Sequence, residues 1–266
     1  MRKDIMSIIR YANKLGFQII IYTNGSLIKK KQIEELAGMR INKIDITIPA
    51  MSKIAFERIT GIPGSRDKVF KAIGILSESG INLGFKTCVL KENESEISEI
   101  QDFAKALGCQ HRLDDILSRC LDGSEEPYKY RGRLENKLAR SRCESSNQME
   151  LTNQVKLSNA KKITNLFECG AGATQAAITP LGELKMCLID YPKYKILDSS
   201  LDDAWERLKD FIANIKIDDN YQCNKCKLII YCKWCPAEGW LYNRKFTSCD
   251  PQSRKDAEFA RKLLNC

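Results

Sequence analysis

The cysteines in the C-terminal part of the sequence have a spacing that can hold a metal centre. Seven of them lie between residues 169 and 249. They are Cys169, Cys187, Cys223, Cys226, Cys232, Cys235 and Cys249. The last group contains two Cys-x2-Cys pairs, and such a pair lets two sulfurs bind one metal centre because the intervening backbone turns its amides towards them. The pattern predicts a thiolate site for iron and sulfur or for zinc, and spacing alone does not choose between the two.

The composition favours metal over disulfides. The sequence has twelve cysteines and one histidine, His111. It starts Met1-Arg2-Lys3-Asp4 without the apolar block of a signal peptide, so we expect a cytoplasmic protein whose thiols stay reduced unless metal binds them. With one histidine, mixed cysteine and histidine zinc sites are nearly excluded. The isolated cysteines are expected to be buried or free thiols: Cys88, Cys109, Cys120, Cys143 and Cys266.

Charge and hydrophobicity exclude two classes of partner. The longest apolar runs, such as residues 17–22, are far shorter than a membrane span, so no membrane partner is expected. The formal charge is +9, but Lys and Arg are scattered among Asp and Glu. This pattern disfavours nucleic acid and indicates solvated faces, partly offset by the negative charge of thiolate-bound clusters.

Helices and strands alternate through the first half of the sequence. Apolar runs predict strands near 17–22, 43–48, 81–90 and 110–116, with helix-period segments before and between them. Ser65 is expected to cap one helix, and Asn93 with Glu96 forms a capping-box-like start for another. This alternation predicts a parallel sheet, open or closed into a barrel, with its chemistry at the carboxyl ends of the strands.

The second half is predicted to contain a linker and then a small cysteine-rich domain. From residue 117 onwards the pattern loosens into Gly, Ser, Pro and mixed charge. Residues 175–180 and 183–187 read as a hairpin with Gly182 in the turn, which would bring Cys187 towards Cys169. A helix with Trp205 and Leu208 on its apolar side precedes the Cys-x2-Cys pairs.

These features together resemble a known family. The order Cys169-x12-Gly182-x4-Cys187, the two Cys-x2-Cys pairs and a final Cys249 resemble the seven-cysteine SPASM domain of radical S-adenosylmethionine (radical SAM) enzymes. Thr23-Asn24-Gly25 resembles the TNG segment on the third strand of their partial barrel. The resemblance implies an α/β fold: a partial radical SAM (βα) barrel lacking its first strands over 1–116, a linker over 117–165, and a small α+β SPASM iron-sulfur domain over 166–266.

The resemblance also implies a division of the thiolates between two auxiliary clusters. Cys169, Cys187 and Cys235 would bind an inner cluster whose fourth ligand is not evident. The outer cluster would be bound by Cys223, Cys226, Cys232 and Cys249. The sequence departs from the family in having two residues rather than three between Cys232 and Cys235.

A larger departure concerns the catalytic cluster. The sequence contains no Cys-x3-Cys-x2-Cys motif and no GGEP-like turn. The resemblance therefore leads us to expect that the first two strands of the barrel are missing, and that the chain alone does not cleave S-adenosylmethionine.

The implied function is that of an iron-sulfur protein of the radical SAM/SPASM family, part of an oxidoreductase or maturase that modifies a peptide or protein. Its cofactors would be two auxiliary 4Fe-4S clusters and, with a catalytic segment supplied, S-adenosylmethionine. Asn24, Thr47, Lys86 and Arg112 would line the S-adenosylmethionine side of the barrel, although a turn and strand-end charges are the ordinary interpretations of such residues. The implied partners are a peptide or protein substrate and a low-potential electron donor such as a flavodoxin or ferredoxin.

Two other interpretations remain open at this point. The chain could be a truncated, non-catalytic iron-sulfur protein for electron transfer or partner binding. It could instead be a four-cysteine zinc-binding module. Iron-sulfur clusters predict a brown protein when it is purified without oxygen, whereas zinc predicts a colourless one.

Overall fold

The computed structural model describes residues 2–114, 116–133, 166–189, 191–218 and 221–264, with the side chains of 263 and 264 left out. The chain divides into two compact units. The first comprises residues up to 116 together with 130–133, and the second comprises 117–129 and the residues after 133. The described part of the predicted linker is therefore distributed between the units. The rest of it, 134–165, lies outside the described residues, as do Cys143 and Cys266.

The first unit is built on a parallel sheet of four strands in the order β1-β2-β3-β4. These are β1 (Ile19–Thr23), β2 (Ile41–Thr47), β3 (Leu83–Cys88) and β4 (Gln110–Asp114). All three pairings are parallel. The predicted α/β class and the parallel sheet are confirmed. The strand bounds shift by one to three residues at most ends because the flanking residues form turns.

Helices cover one face of this sheet. They are α1 (Ile5–Lys14), α2 (Lys30–Ala37), α3 (Lys53–Thr60), α4 (Ser65–Ser77) and α5 (Ile97–Ala106). Their buried side chains form a single core with the buried residues of the strands, among them Ile44, Ile46, Ile48 and Phe85. A doubly wound sheet would have helices on both faces. One-sided packing among the described residues instead matches a partial barrel, which leaves the opposite face open for chemistry.

Two predicted helix starts are wrong. Ser65 is the first residue of α4 rather than its cap, and its hydroxyl lies 2.9 Å from the Thr60 hydroxyl. Asn93 and Glu96 do not form a capping box, because both side chains reach across the unit to other segments. The Glu96 carboxylate accepts the Ser52 N–H at 2.9 Å and thereby satisfies a donor at the start of α3, a helix that the sequence pattern did not predict.

The second unit contains short strands around the cysteines. The strands β5 (Ala177–Ile178), β6 (Glu183–Lys185) and β7 (Lys193–Lys195) form an antiparallel sheet. The predicted hairpin is confirmed, with Gly182 in the turn at φ 76°, and β7 extends it. The helices are α6 (Leu201–Ala213), α7 (Pro236–Asn243) and α8 (Pro251–Leu264). Among the described helices, none combines the length and apolar composition of a membrane-spanning segment.

Candidate functional site

A polar row crosses the open face of the sheet in the first unit. Thr47 on β2 pairs in register with Lys86 on β3, and Lys86 pairs with Arg112 on β4. Paired residues of neighbouring strands project to the same face, so these three side chains form one line. Thr47 and Arg112 are exposed and Lys86 is partly buried. The structure thus brings together three of the four residues predicted to line the face.

An acidic residue that the sequence reasoning did not single out joins this row. Asp114, the last residue of β4, forms an ion pair with Lys86 at 2.9 Å. A second ion pair on the same face joins Lys43 and Asp45 at 2.8 Å. The face therefore carries charges of both signs and can bind a zwitterionic ligand through both. Strand alternation could have indicated Asp114, because it lies two residues after Arg112.

Asn24 lies after β1 and serves its own turn. Its side-chain oxygen accepts hydrogen bonds from the backbone N–H of Ser26 at 3.1 Å and from the Ser26 hydroxyl at 3.0 Å. Gly25 adopts φ 72°, and a Cβ there would lie 3.5 Å from the Ile46 side chain. The turn interpretation of Asn24-Gly25 is thus borne out by geometry, while the exposed Asn24 amide stays at the carboxyl end of the sheet.

The loops at this end of the sheet are held by a buried asparagine. Asn93 is fully buried. Its amide donates to the carbonyls of Pro49 at 2.7 Å and Cys88 at 2.8 Å, and its oxygen accepts the Leu90 N–H at 2.8 Å. One side chain therefore ties the segments that follow β2 and β3. Asn93 is a positioning residue for the rim of the open face.

Four of the predicted ligand thiols form one electrostatic group in the second unit. Burial raises the pKa of the Cys223 thiol to about 11, and the nearby Cys232, Cys249 and Cys226 sulfurs raise it further. Burial also raises the pKa of Cys232, with smaller contributions from Cys249 and Cys226. Such mutual influence requires the four sulfurs to lie close together.

The other three thiols form a second group. Burial raises the pKa of the Cys187 thiol, and Cys169 adds to this effect. Burial likewise raises the pKa of Cys235, and Cys187 adds to it. Among the described residues, the electrostatic contacts thus join Cys187 to both Cys169 and Cys235. This is the same division into four and three that the family resemblance implies.

Backbone amides point at the sulfurs in both groups. Cys226 accepts the Leu228 N–H at 3.4 Å. The same i to i+2 bond reaches Cys232 from Trp234 and Cys187 from Ile189. Amide donors stabilise a thiolate over a thiol, and they orient the sulfur before any metal binds. The local backbone therefore favours ligation at these positions.

The thiols are grouped without converging on one point. Within the described ranges, no three or more Cys, His, Asp or Glu side chains are arranged to hold a single metal ion. A tetrahedral zinc site needs sulfurs about 3.8 Å apart, since each Zn–S bond is about 2.3 Å. In a cluster each thiolate binds a different iron, so the sulfurs stand farther apart. Grouped but separated thiols fit a cluster better than a single zinc ion.

Glycine allows the segments that carry the cysteines to approach each other. A Cβ on Gly239 of α7 would lie 2.7 Å from the Ser248 carbonyl and 2.9 Å from that of Lys245. The α7 helix, which starts directly after Cys235, therefore packs against the turn that leads to Cys249. Only the absence of a side chain permits this close approach.

A buried ion pair supports the Cys249 end of the outer group. Arg119 donates through Nε to the Asp250 carboxylate at 3.1 Å, and their side chains are only 4% and 1% exposed. The other Asp250 oxygen accepts the Ser253 N–H at 2.7 Å at the start of α8. Tyr221 adds a hydrogen bond to the Cys223 sulfur. Sequence reasoning missed Arg119 because the segment around it looks like linker.

Comparison with known proteins assigns the first unit. Residues 1–104 match the Radical SAM superfamily. The AdoMet-dependent heme synthase of Methanosarcina barkeri is 26% identical over 107 residues, which cover 40% of this chain and 31% of that protein. The antilisterial bacteriocin subtilosin biosynthesis protein AlbA of Bacillus subtilis is 23% identical over 252 residues, covering 89% of this chain and 54% of AlbA. The chain spans less than two thirds of the length of either relative.

A solved structure shares the fold over most of the chain. Streptococcus suis SuiB bound to precursor peptide SuiA matches with a TM-score of 0.69 at 18% identity. The match covers 94% of this chain and 62% of SuiB. The shared fold therefore extends beyond the first unit into the cysteine-rich one.

Proposed function

Since residues 1–104 belong to the radical SAM superfamily, we propose that this chain forms part of an enzyme that modifies a peptide or protein by radical chemistry. Two auxiliary 4Fe-4S clusters in the second unit complete the proposal. The observation that carries it is the division of seven thiols into a group of four and a group of three. Each group has the all-sulfur donor set that iron-sulfur clusters use.

A peptide or protein substrate is supported by the relatives that match beyond the first unit. The match to the heme synthase spans 107 residues, whereas the match to AlbA spans 252 and includes the cysteine-rich part. AlbA is a bacteriocin biosynthesis protein, and SuiB shares the fold in a structure that contains a precursor peptide. The second unit is thus the part that distinguishes peptide-acting relatives from the others.

The thiolates would hold the clusters, and the surrounding groups would tune them. When bound, the clusters supply one-electron transfer beside the substrate. The amide donors of Leu228 and Trp234 withdraw electron density from the ligand sulfurs, as does the Tyr221 hydroxyl. Burial keeps the unligated thiols protonated at neutral pH, so ligation releases protons to solvent.

The open face of the first unit would bind S-adenosylmethionine. Arg112 and Lys86 can bind the ligand's carboxylate, and Thr47 and Asn24 can hydrogen-bond its ribose hydroxyls. Asp114 offers a negative charge to the sulfonium or amine. The 266 residues contain no Cys-x3-Cys-x2-Cys motif, so we assign binding of this ligand, and not its cleavage, to residues of this chain.

Binding of S-adenosylmethionine to variants tests the proposal. Arg112→Gln should weaken binding at least about tenfold in equilibrium dialysis, because a charge-assisted hydrogen bond is lost. Arg40→Gln is the matched control, since Arg40 is exposed just before the amino end of β2. Equal binding by both variants would remove the open face from the site. No binding by the unmodified chain would favour the non-catalytic iron-sulfur protein.

A further inference from the structure

The surface around the outer thiol group is strongly basic. Lys225 and Lys227 flank Cys226, Lys233 follows Cys232, and all three lysines are exposed. Arg254 and Lys255 are exposed on the first turn of α8. Arg254 lies near enough to Cys249 and Cys226 to interact with both sulfurs electrostatically. We call these five residues the basic rim.

The basic rim is not neutralised by the protein. Arg254 forms an ion pair with Glu258 at 3.2 Å. None of the four lysines forms an ion pair with a described carboxylate. Asp256 influences Cys232 but is partly buried, and Asp250 is engaged by Arg119. Five cations therefore face two nearby carboxylates that are not already held by a buried partner.

The outer group is also open to solvent where the rim lies. Cys249 is exposed, and Cys226 and Cys232 are partly buried. Electron transfer between proteins needs a short path from the partner to the redox centre, and a ligand sulfur at the surface supplies one. The cations and the accessible sulfur occupy the same part of the second unit.

From this coincidence, and resting on the proposed function, we infer that the basic rim is a docking surface for a small acidic one-electron carrier protein. A positive patch attracts an acidic partner over roughly 10 Å and raises its association rate. One electron passes from the reduced carrier to the outer cluster. The carrier is oxidised by one electron, the cluster is reduced by one, and no covalent bond forms or breaks.

Stopped-flow reduction of the reconstituted full chain tests this inference. The probe is a reduced plant-type [2Fe-2S] ferredoxin, an acidic carrier. The variant Lys225→Gln/Lys227→Gln/Lys233→Gln should react about tenfold more slowly than the unmodified chain at low ionic strength, and high salt should remove the difference. The control Lys14→Gln/Lys31→Gln/Lys71→Gln loses the same charge from exposed positions in the first unit and should change the rate less than about twofold.

A second reductant separates docking from local electrostatics. A photoreduced neutral deazaflavin should reduce all variants at the same rate, because it needs no charged surface. If the lysine variant slows both reductants, or shifts the cluster potential by the same proportion, the cations serve the cluster and the inference is wrong. If a DNA duplex binds the unmodified chain tightly and loses binding in the lysine variant alone, the rim is a nucleic-acid surface instead.

Cluster content distinguishes the two possible failures. Iron and sulfide are measured before the carrier is added, and their absence from the unmodified chain would contradict the proposed function itself. With clusters present, equal rates for the lysine variant and its control would overturn only the docking inference. If the triple variant assembles less iron, Lys255→Gln replaces it, because Lys255 adjoins no cysteine; its rate should fall about twofold.

Discussion

The two units reach a folded state by different means. The first has strands of five to seven residues and a core of aliphatic and aromatic side chains on one face of the sheet. The second has strands of two or three residues, and long stretches around its cysteines contain only short helical turns. Hydrophobic burial is sufficient to specify the first unit, whereas we expect the second to depend on its ligands.

Removing iron should break this comparison open with the largest effect. A chelator and oxidant applied to the reconstituted chain should lower the opening free energy of amides around 223–249 by more than about 4 kcal/mol, because binding energy at a thiolate site is folding energy. Hydrogen exchange measures this locally. Amides of β2 and β3 should keep their protection.

Two outcomes would contradict this expectation. Equal loss of protection in both units would mean that they fold as one cooperative structure. Unchanged protection around 223–249 would mean that the second unit is held by its aromatic core, in which Trp240 stacks on Tyr191 at 4.3 Å and on Phe246 at 4.8 Å.

A core substitution should act on the first unit alone. Phe85 is 1% exposed and stacks on Phe103 at 5.7 Å. Phe85→Ala should lower the free energy of unfolding of the first unit by about 4 kcal/mol, through lost burial and the cavity that remains. Denaturant titration followed by hydrogen exchange of β3 measures it. Phe17→Ala, at a residue 61% exposed, is the control and should cost little.

Loss of the buried ion pair should act on the second unit alone. Arg119→Ala leaves the Asp250 carboxylate buried without its cationic partner, which should cost about 3 kcal/mol. Because Asp250 follows Cys249, the reconstituted outer cluster should also lose iron faster to a chelator. Arg261→Ala, at an exposed position of α8, should change neither measurement. Unchanged cluster lifetime in Arg119→Ala would show that the pair stabilises the fold without positioning the ligand.

The smallest effect is a pH dependence confined to the first unit. Thr87 donates its hydroxyl proton to the Ile48 carbonyl at 2.8 Å, so it accepts the His111 Nε2–H at 2.9 Å. Nδ1 is then a buried acceptor without a partner among the described residues. Burial lowers the pKa of His111.

The sign of this dependence follows from proton binding. Between the unfolded pKa of about 6.5 and the lower folded pKa, the unfolded chain binds the extra proton. Stability should therefore be complete above about pH 6.5 and fall as the pH is lowered, by at most about 1.4 kcal/mol per pH unit. His111→Gln removes the only histidine and should abolish the slope between pH 5.5 and 7 (about the titration range of histidine). A slope that persists would assign it to other groups.

Sequence periodicity predicted the first unit well because its core is regular. Ile44, Ile46 and Ile48 alternate as a buried strand face, and Ile5, Ile8 and Ile9 follow helical spacing. The failures came from polar side chains that act over long separations. Asn93 and Glu96 look like a local cap, yet their partners lie about 45 residues earlier in the chain, and no local pattern encodes such a contact.

In the second unit the cysteine spacing carried the prediction. It named the thiols, and the structure separates them into four and three by electrostatic contact. Arg119, Asp250 and Tyr221 could not be predicted, because their roles arise from burial beside the cysteines rather than from a motif.

Iron and acid-labile sulfide in cysteine variants, after reconstitution without oxygen, test the central claim most directly. The unmodified chain should bind about eight irons and about eight sulfides. Cys223→Ser and Cys187→Ser should each lose about half, from different clusters, while Cys109→Ser should match the unmodified chain. Bound zinc without sulfide, or loss of all iron in either single variant, would contradict two separate clusters.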